Sequence, residues 1–235
     1  MPYSQAPRLT EDRTIYVSPD GDNNNPGTQE APFKTIQAAL NSLPKDLDHY
    51  CVKIIVAEGE YDEYVRICGF SGGLHYAITI EGDDSGVIGR ETRTVKNILV
   101  SNCSSAVQIR GICVIGQQYT ESISILSAHV DLEYVTVKNQ DVNSYYGIVV
   151  GRFFGATTTL NRCVIDGFFC GISIYSASVS CALATNIKNC TVGIGVGNRD
   201  DGTAGIFIEG TIKNTFENNT MDIVKNGASQ AFLMP

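Results

Sequence analysis

The chain contains no tryptophan and only 3 methionines and 3 histidines. Without Trp, any sugar-stacking role must fall to the 11 Tyr and 9 Phe. His49, His75 and His129 stand apart, and no Cys/His set has ligand spacing, which argues against a zinc site. Positive charge is also short: 17 Lys and Arg against 25 Asp and Glu give a net charge of −8. No basic run is present to neutralise phosphates, so nucleic acid is not an expected partner. No stretch approaches the roughly 18 apolar residues of a bilayer-spanning helix, so no membrane contact is expected. The opening MPYSQAPRLTEDR lacks both the basic start and the apolar core of a signal peptide, which predicts a soluble chain made in the cytoplasm. The 8 Cys form no CxxC pair and lie in apolar runs such as ICVIG and NRCVIDGFFC. They are expected to be buried thiols acting as small hydrophobes.

What the sequence does have is repetition. Its 235 residues, 43% hydrophobic with 23 Gly, suit one domain with a sizeable core. The phrase TVKN begins at Thr94 and again at Thr136, with NIKN at Asn186, TIKN at Thr211 and IVKN at Ile223. Degenerate copies, CVIG and CVID, begin at Cys113 and Cys163. Anchoring the copies on Val95, Ile115, Val137, Ile165, Ile187 and Ile212 gives a mean period of about 23 residues, a solenoid length. Between the copies lie short β-rich pieces (GIVVG, GISIYSASVS, GIGVG) without helical periodicity, which predicts a parallel β-helix of about 7 coils. Two residues past each anchor stand Asn97, Gln117, Asn139, Gly167, Asn189 and Asn214, a column of turn chemistry whose amides can bond along the stacking axis. Lys138, Asp166 and Lys188 fall one above another as a surface charge ladder. Cys113, Val135 and Cys163 are expected to share one inward column.

The front of the chain has a different period. Phe33, Ile36, Leu40 and Leu43 recur at helical spacing behind Pro32 and ahead of Pro44, predicting one short helix that covers the open end of the solenoid. The expected layout is an N-terminal extension over residues 1–13, a strand from Thr14 to Val17 plus capping helix within 14–50, and the β-helix over 51–235.

The stretch IYVSPDGDNNNPGTQEAPFKTIQAAL, a strand, a polar loop, an NPGT turn, an APF step and a TIQ helix, closely resembles the N-terminal lead-in of pectate-lyase-like right-handed parallel β-helix proteins. Phage tail and virion β-helices are among those it is similar to. The resemblance implies an all-β, single-stranded right-handed β-helix with an N-terminal capping helix. It leaves function open among lyases, hydrolases and non-catalytic virion parts.

A calcium lyase of this kind needs carboxylates converging on one ion from neighbouring coils. Asp131, Glu133, Asp166 and Glu209 stand at different offsets from their anchors, so no such column is expected. The Asp20–Asn25 run is not a calcium loop either, because its twelfth position is Ala31 rather than Glu. Loop acids Asp83, Asp84, Asp141, Asp200 and Asp201 remain as a source for a hydrolase pair. No metal, cofactor or assembled catalytic set is therefore expected. Tyr145, Tyr146, Arg152 and Phe153, flanking GIVV, and Arg199, Asp200 and Asp201 are the candidate glycan contacts. The expectation is a structural or adhesive component of a phage or prophage particle that contacts host surface glycans. It would be a homotrimer, docked to other virion proteins through its N-terminal segment and assembled in the host cytoplasm. The alternative is a polysaccharide lyase or glycoside hydrolase.

Overall fold

Each repeat supplies two or three short apolar strands that bury nothing alone and must stack on their neighbours. The computed structural model describes residues 7–117, 121–140, 145–152, 155–197, 205–209, 215–225 and 230–234, with 205–209 and 230–234 as backbone only. The chain opens with β1 (Arg13–Val17) and α1 (Ile36–Asn41). Coils then follow: β2 (Val52–Val56) with β3 (Gly59–Cys68), and β4 (Tyr76–Glu81) with β5 (Arg93–Ser101). Three-strand coils come next: β6 (Ala106–Arg110), β7 (Cys113–Gly116), β8 (Ile123–Leu126); and β9 (His129–Glu133), β10 (Thr136–Asn139), β11 (Tyr146–Val150). They continue as β12 (Ala156–Asn161), β13 (Val164–Asp166), β14 (Cys170–Ile174); and β15 (Ala177–Leu183), β16 (Asn186–Lys188), β17 (Val192–Val196). The stack ends with β18 (Gly205–Glu209), β19 (Thr215–Glu217), β20 (Met221–Lys225) and β21 (Gln230–Met234).

These strands form three faces. The first is the sheet β1-β2-β4-β6-β9-β12-β15-β18-β21. The others are two wings of one sheet that divides at β5: Thr94 and Val95 pair with β7, whereas Ile98 to Ser101 pair with β8. The second face runs β5-β7-β10-β13-β16-β19 and the third β5-β8-β11-β14-β17-β20, with β3 lying beside β5 along both. The result is a parallel β-helix, as the repeats predict. Its core is three ladders of buried aliphatics. Ile54, Ile80, Ile109, Leu132 and Leu160 stack on the first face; Val95, Val114, Val137, Ile165 and Ile187 on the second; Ile98, Ile123, Ile148, Ile172 and Ile194 on the third.

The second ladder corrects the repeat alignment. Val114, not Ile115, lies between Val95 and Val137. Ile187 pairs with Phe216, while Ile212 is outside the described residues. Ile223 belongs to the third face, paired with Ile194. The shift moves Cys113 out of the column assigned to it: the N–H groups of Thr136, Val164 and Asn186 donate to the carbonyls of Ile112, Val135 and Cys163, so Ile112 holds that inward place. Cys113 is nevertheless buried, and burial pushes its thiol up to about 12. All eight Cys are free thiols, six buried and Cys51 and Cys68 half-buried. The Asn column is partly as expected. Asn139 Nδ2 donates to the Gly167 carbonyl at 2.8 Å, and Asn189 Nδ2 to Asp166 Oδ1 at 2.6 Å. Gly167, Asn189 and Asn218 take φ of 88°, 54° and 56°, the left-handed turn that Gly and Asn tolerate.

The helix is shorter than its apolar period suggests. Pro32 and Phe33 lie outside it, Phe33 bridged to Val17, and Thr35 is the N-cap, its hydroxyl accepting from Ala38 N at 3.1 Å. The DGDNNN loop builds that cap. Asn23 Oδ1 accepts from Lys34 N and Thr35 N, both at 3.0 Å, Asp22 Oδ1 accepts from Asn24 N at 2.9 Å, and Asn25 Nδ2 donates to the Pro32 carbonyl at 2.9 Å. Gly21 is required because a Cβ there would lie 2.5 Å from the Phe33 carbonyl oxygen. Nor is the extension separate: Leu9 is buried and its N–H donates to the Asp46 carbonyl at 2.9 Å, while Asp12 accepts from Cys51 N at 2.8 Å.

Glu63 joins cap to coil. Its carboxylate, buried on β3, accepts from Ile36 N at 2.8 Å and Gln37 N at 2.9 Å, two N–H groups that the helix cannot satisfy itself. Burial raises the Glu63 pKa, and the two N–H bonds only partly oppose the rise. Native protein therefore holds this proton to higher pH than the unfolded chain. The stabilisation linked to that proton is complete below the ordinary carboxylate range and is lost as pH rises through the folded value. Two outcomes are expected from chemical denaturation. Glu63→Ala loses about 1–3 kcal/mol, and the stability of the wild type relative to Glu63→Gln falls as pH rises above the ordinary carboxylate range.

Candidate functional site

Strand alternation decides what the third face shows to solvent. With Ile98, Ile123, Ile148 and Ile172 turned inward, Leu99, Ser124 and Val149 form an outer row, one residue per coil, spaced about 4.8 Å apart, of which Leu99 and Ser124 are half-buried and Val149 is covered. They floor a groove of about 420 Å³ that Tyr64, Arg66, Asn97, Glu121, Leu126 and Arg152 complete. Tyr64 and Arg66 come from β3, where YDEYVRI alternates strictly: Tyr61, Glu63, Val65 and Ile67 are buried, and Asp62, Tyr64 and Arg66 exposed.

The groove carries both ring surface and charge. Tyr64 is 49% exposed, and the Lys96 ammonium lies 6.0 Å from its ring centroid while pairing with Asp62. Arg152 forms an ion pair with Glu121, and the Asn97 amide donates to the Glu121 carbonyl. Beside Arg152 is an aromatic cluster. Tyr145 and Phe169, each 52% exposed, meet edge to face at 6.0 Å, and Tyr145 and Tyr146 are 6.4 Å apart. Burial, and then the charge and hydroxyl of Tyr175, raise the Tyr146 pKa, with the Arg152 charge acting the other way. A raised phenol stays a neutral hydrogen-bonding group.

Of the residues singled out from sequence, Tyr145, Tyr146 and Arg152 thus gather on one face. Phe153, Arg199, Asp200 and Asp201 lie outside the described residues, as does Asp141. Sequence reading missed Tyr64, Arg66, Glu121 and Phe169. The signal for the first two was the period-2 alternation of β3.

A second groove, of about 530 Å³, lies on the outer side of the second face. Ile88 and Glu91 line it opposite Lys138, Asp166 and Lys188. The register confirms the ladder, since Asp166 pairs with both Lys138 and Lys188. Lys188 Nζ is 3.6 Å from Asp166, and Lys138 Nζ is 2.5 Å from Glu91, whose hydrogen bond and charge raise the lysine's pKa. The other acids do not converge on one another: Asp131 stacks between Gln108 and Thr159, Glu133 is 2.9 Å from Arg110 and 3.5 Å from Arg162, and Asp83 is 2.8 Å from Arg90 and 3.8 Å from Arg93. Among the described residues no three His, Cys, Asp or Glu side chains are gathered to hold a metal ion. No helix among those residues is long and apolar enough to cross a membrane.

This architecture is similar to that of a solved complex of XylC with xylose, with a TM-score of 0.54 at 10% identity. The match covers 94% of this chain and 64% of that one, so the present chain spans under two thirds of its length. At that identity the likeness speaks to the fold alone. No curated protein matches the sequence. Residues 19–230 match the family described as a protein of unknown function, DUF1565. The match takes in the polar loop, the capping helix and the coils through β20, and the chain belongs to that family.

Proposed function

We propose that this chain is a saccharide-binding β-helix, a structural and adhesive component of a phage or prophage particle that lays host surface glycan along the third-face groove. The observation that carries the reading is the pairing of an exposed ring, Tyr64, with the Arg66 and Arg152 guanidinium groups over a floor of stacked strands. Sugars need such a combination: an apolar face for the ring's C–H groups and donors for its hydroxyls. A floor fixed by backbone pairing keeps the contacts preorganised, which limits the entropy lost on binding. That XylC was solved with xylose supports a sugar as ligand for this scaffold. The particle setting rests on the sequence resemblance. It carries with it a homotrimer, docked to other virion proteins through the N-terminal segment.

A polysaccharide lyase or hydrolase is the second reading, favoured by Glu91 and Asp166, which line the 530 Å³ groove on either side of Lys138. Two carboxylates across a groove are what glycoside hydrolysis uses.

Titration calorimetry with capsular and cell-wall oligosaccharides tests binding. The wild type is expected to bind at least one. Tyr64→Ala combined with Arg66→Ala should weaken that binding by about tenfold or more, with an unchanged melting temperature because both side chains are exposed. Unaltered affinity in the double variant, or no binding by the wild type, would sink the proposal. New reducing or unsaturated ends that vanish in Asp166→Asn would instead establish the enzymatic reading. Mass spectrometry of purified particles and the solution mass of the protein check the setting and the trimer.

A further inference from the structure

The outer side of the first face holds a set of groups that the glycan groove does not use. On β9, His129 and Asp131 are two residues apart and so project from the same side. Thr157 on β12 is in register with His129, and Ser178 on β15 is in register with Thr157. Three consecutive coils therefore place an imidazole, a threonine hydroxyl and a serine hydroxyl in one row. Thr157 Oγ1 lies 2.6 Å from His129 Nδ1, and the opposite ring nitrogen, Nε2, lies 3.7 Å from Asp131 Oδ1.

The carboxylate is held for this role. Asp131 is only 8% exposed, and its Oδ1 has no hydrogen-bond partner among the described residues. Its Oδ2 accepts from the Tyr76 hydroxyl, a bond that together with burial pushes the Tyr76 phenol up to about 12, so Tyr76 remains a donor. A buried acceptor without a donor is costly, and an imidazolium N–H moving toward Oδ1 would relieve that cost as charge develops on the ring. In front of the row is a cavity of about 510 Å³ lined by His129, Thr157, Ser127, Ser176 and Ser178. It is open to solvent and large enough to admit an acyl group together with the saccharide that carries it.

We infer that Thr157, His129 and Asp131 form a hydroxyl–imidazole–carboxylate centre that hydrolyses small acyl esters, such as an acetyl ester on a saccharide hydroxyl. His129 Nδ1 takes the Thr157 proton as Oγ1 attacks the acyl carbon. The imidazolium directs its Nε2–H to Asp131 Oδ1, and Ser178 donates to the carbonyl oxygen as it gains charge. Collapse breaks the ester C–O bond, and the Nδ1 proton leaves on the alcohol. A water deprotonated by His129 then cleaves the acyl-Thr157, releasing the acid and restoring the hydroxyl. One ester and one water give one alcohol and one acid, without an oxidant or reductant.

The test uses the full chain with p-nitrophenyl acetate and an O-acetylated oligosaccharide. Acetate release is followed, and quenched protein is digested to look for an acetyl group on the peptide carrying Thr157. Thr157→Val keeps the side-chain shape at an exposed position and should lower turnover by about 100-fold or more while abolishing the adduct. Thr157→Ser should restore both, and Asp131→Asn should lower turnover by about 100-fold or more in protein whose melting curve shows it folded. The inference is overturned if the wild type releases no acetate, or if Thr157→Val hydrolyses both esters at the wild-type rate. Acetylation confined to another residue would overturn it equally.

Discussion

Everything in this molecule depends on parallel backbone pairing kept in register from coil to coil. Because side chains alternate across a strand, a slip of one residue would turn each buried aliphatic outward and each charge inward. The ladders of Ile, Val and Leu on the three faces make such a slip prohibitive, since every coil would lose its core contacts together. The same constraint organises the outside. Residues separated by a full coil in sequence become neighbours about 4.8 Å apart, and outer rows such as Lys138–Asp166–Lys188, Glu81–Arg110–Glu133 and His129–Thr157–Ser178 follow. Chemistry on this scaffold is therefore written across strands rather than along them.

A stack of this kind has ends, and the N-terminal one is closed by polar bonds as much as by apolar contact. Asn23 sets the approach to α1, Thr35 caps it, and Glu63 reaches from the first coil to the helix N–H groups. Ile36, Ala39 and Leu40 then cover the core. The Asp and Asn residues that could pass for a metal loop are accounted for as the hydrogen-bonded frame of this cap. Arg8, bridged to Asp46, and Leu9 extend it outward.

Much of the fold was legible in the sequence because the repeat and the turn residues are local signals. TVKN, CVID and NIKN located Val137, Ile165 and Ile187 correctly, TVKN and NIKN because each offers a single aliphatic before its turn residues. CVIG did not, because it shares the Cys-Val-Ile pattern of CVID and yet turns Val114 rather than Ile115 inward; only strand pairing, to Val95 and Val137 in one case and to Val137 and Ile187 in the other, decides which of the two aliphatics faces the core. Helical spacing at Phe33 was misleading for a related reason: Phe33 is buried through its bridge to Val17, not through a helix turn. The functional surface was harder to see. Tyr145, Tyr146 and Arg152 were conspicuous in one short stretch, whereas Tyr64, Glu121 and Phe169 join them only through stacking of residues far apart in the chain. Likewise, His129 looks isolated in sequence and acquires Thr157 as a partner only from the next coil.

Hydroxyl-radical footprinting of the protein saturated with a host surface glycan tests the central claim, that the third face is where sugar lies. The exposed rings of Tyr64, Tyr145 and Phe169 oxidise readily in free protein, and their oxidation should fall together when a glycan free of ester groups is bound, while the exposed ring of Tyr76 on the first face should be unaffected. Saturable glycan binding that leaves oxidation of Tyr64, Tyr145 and Phe169 unchanged would contradict the account.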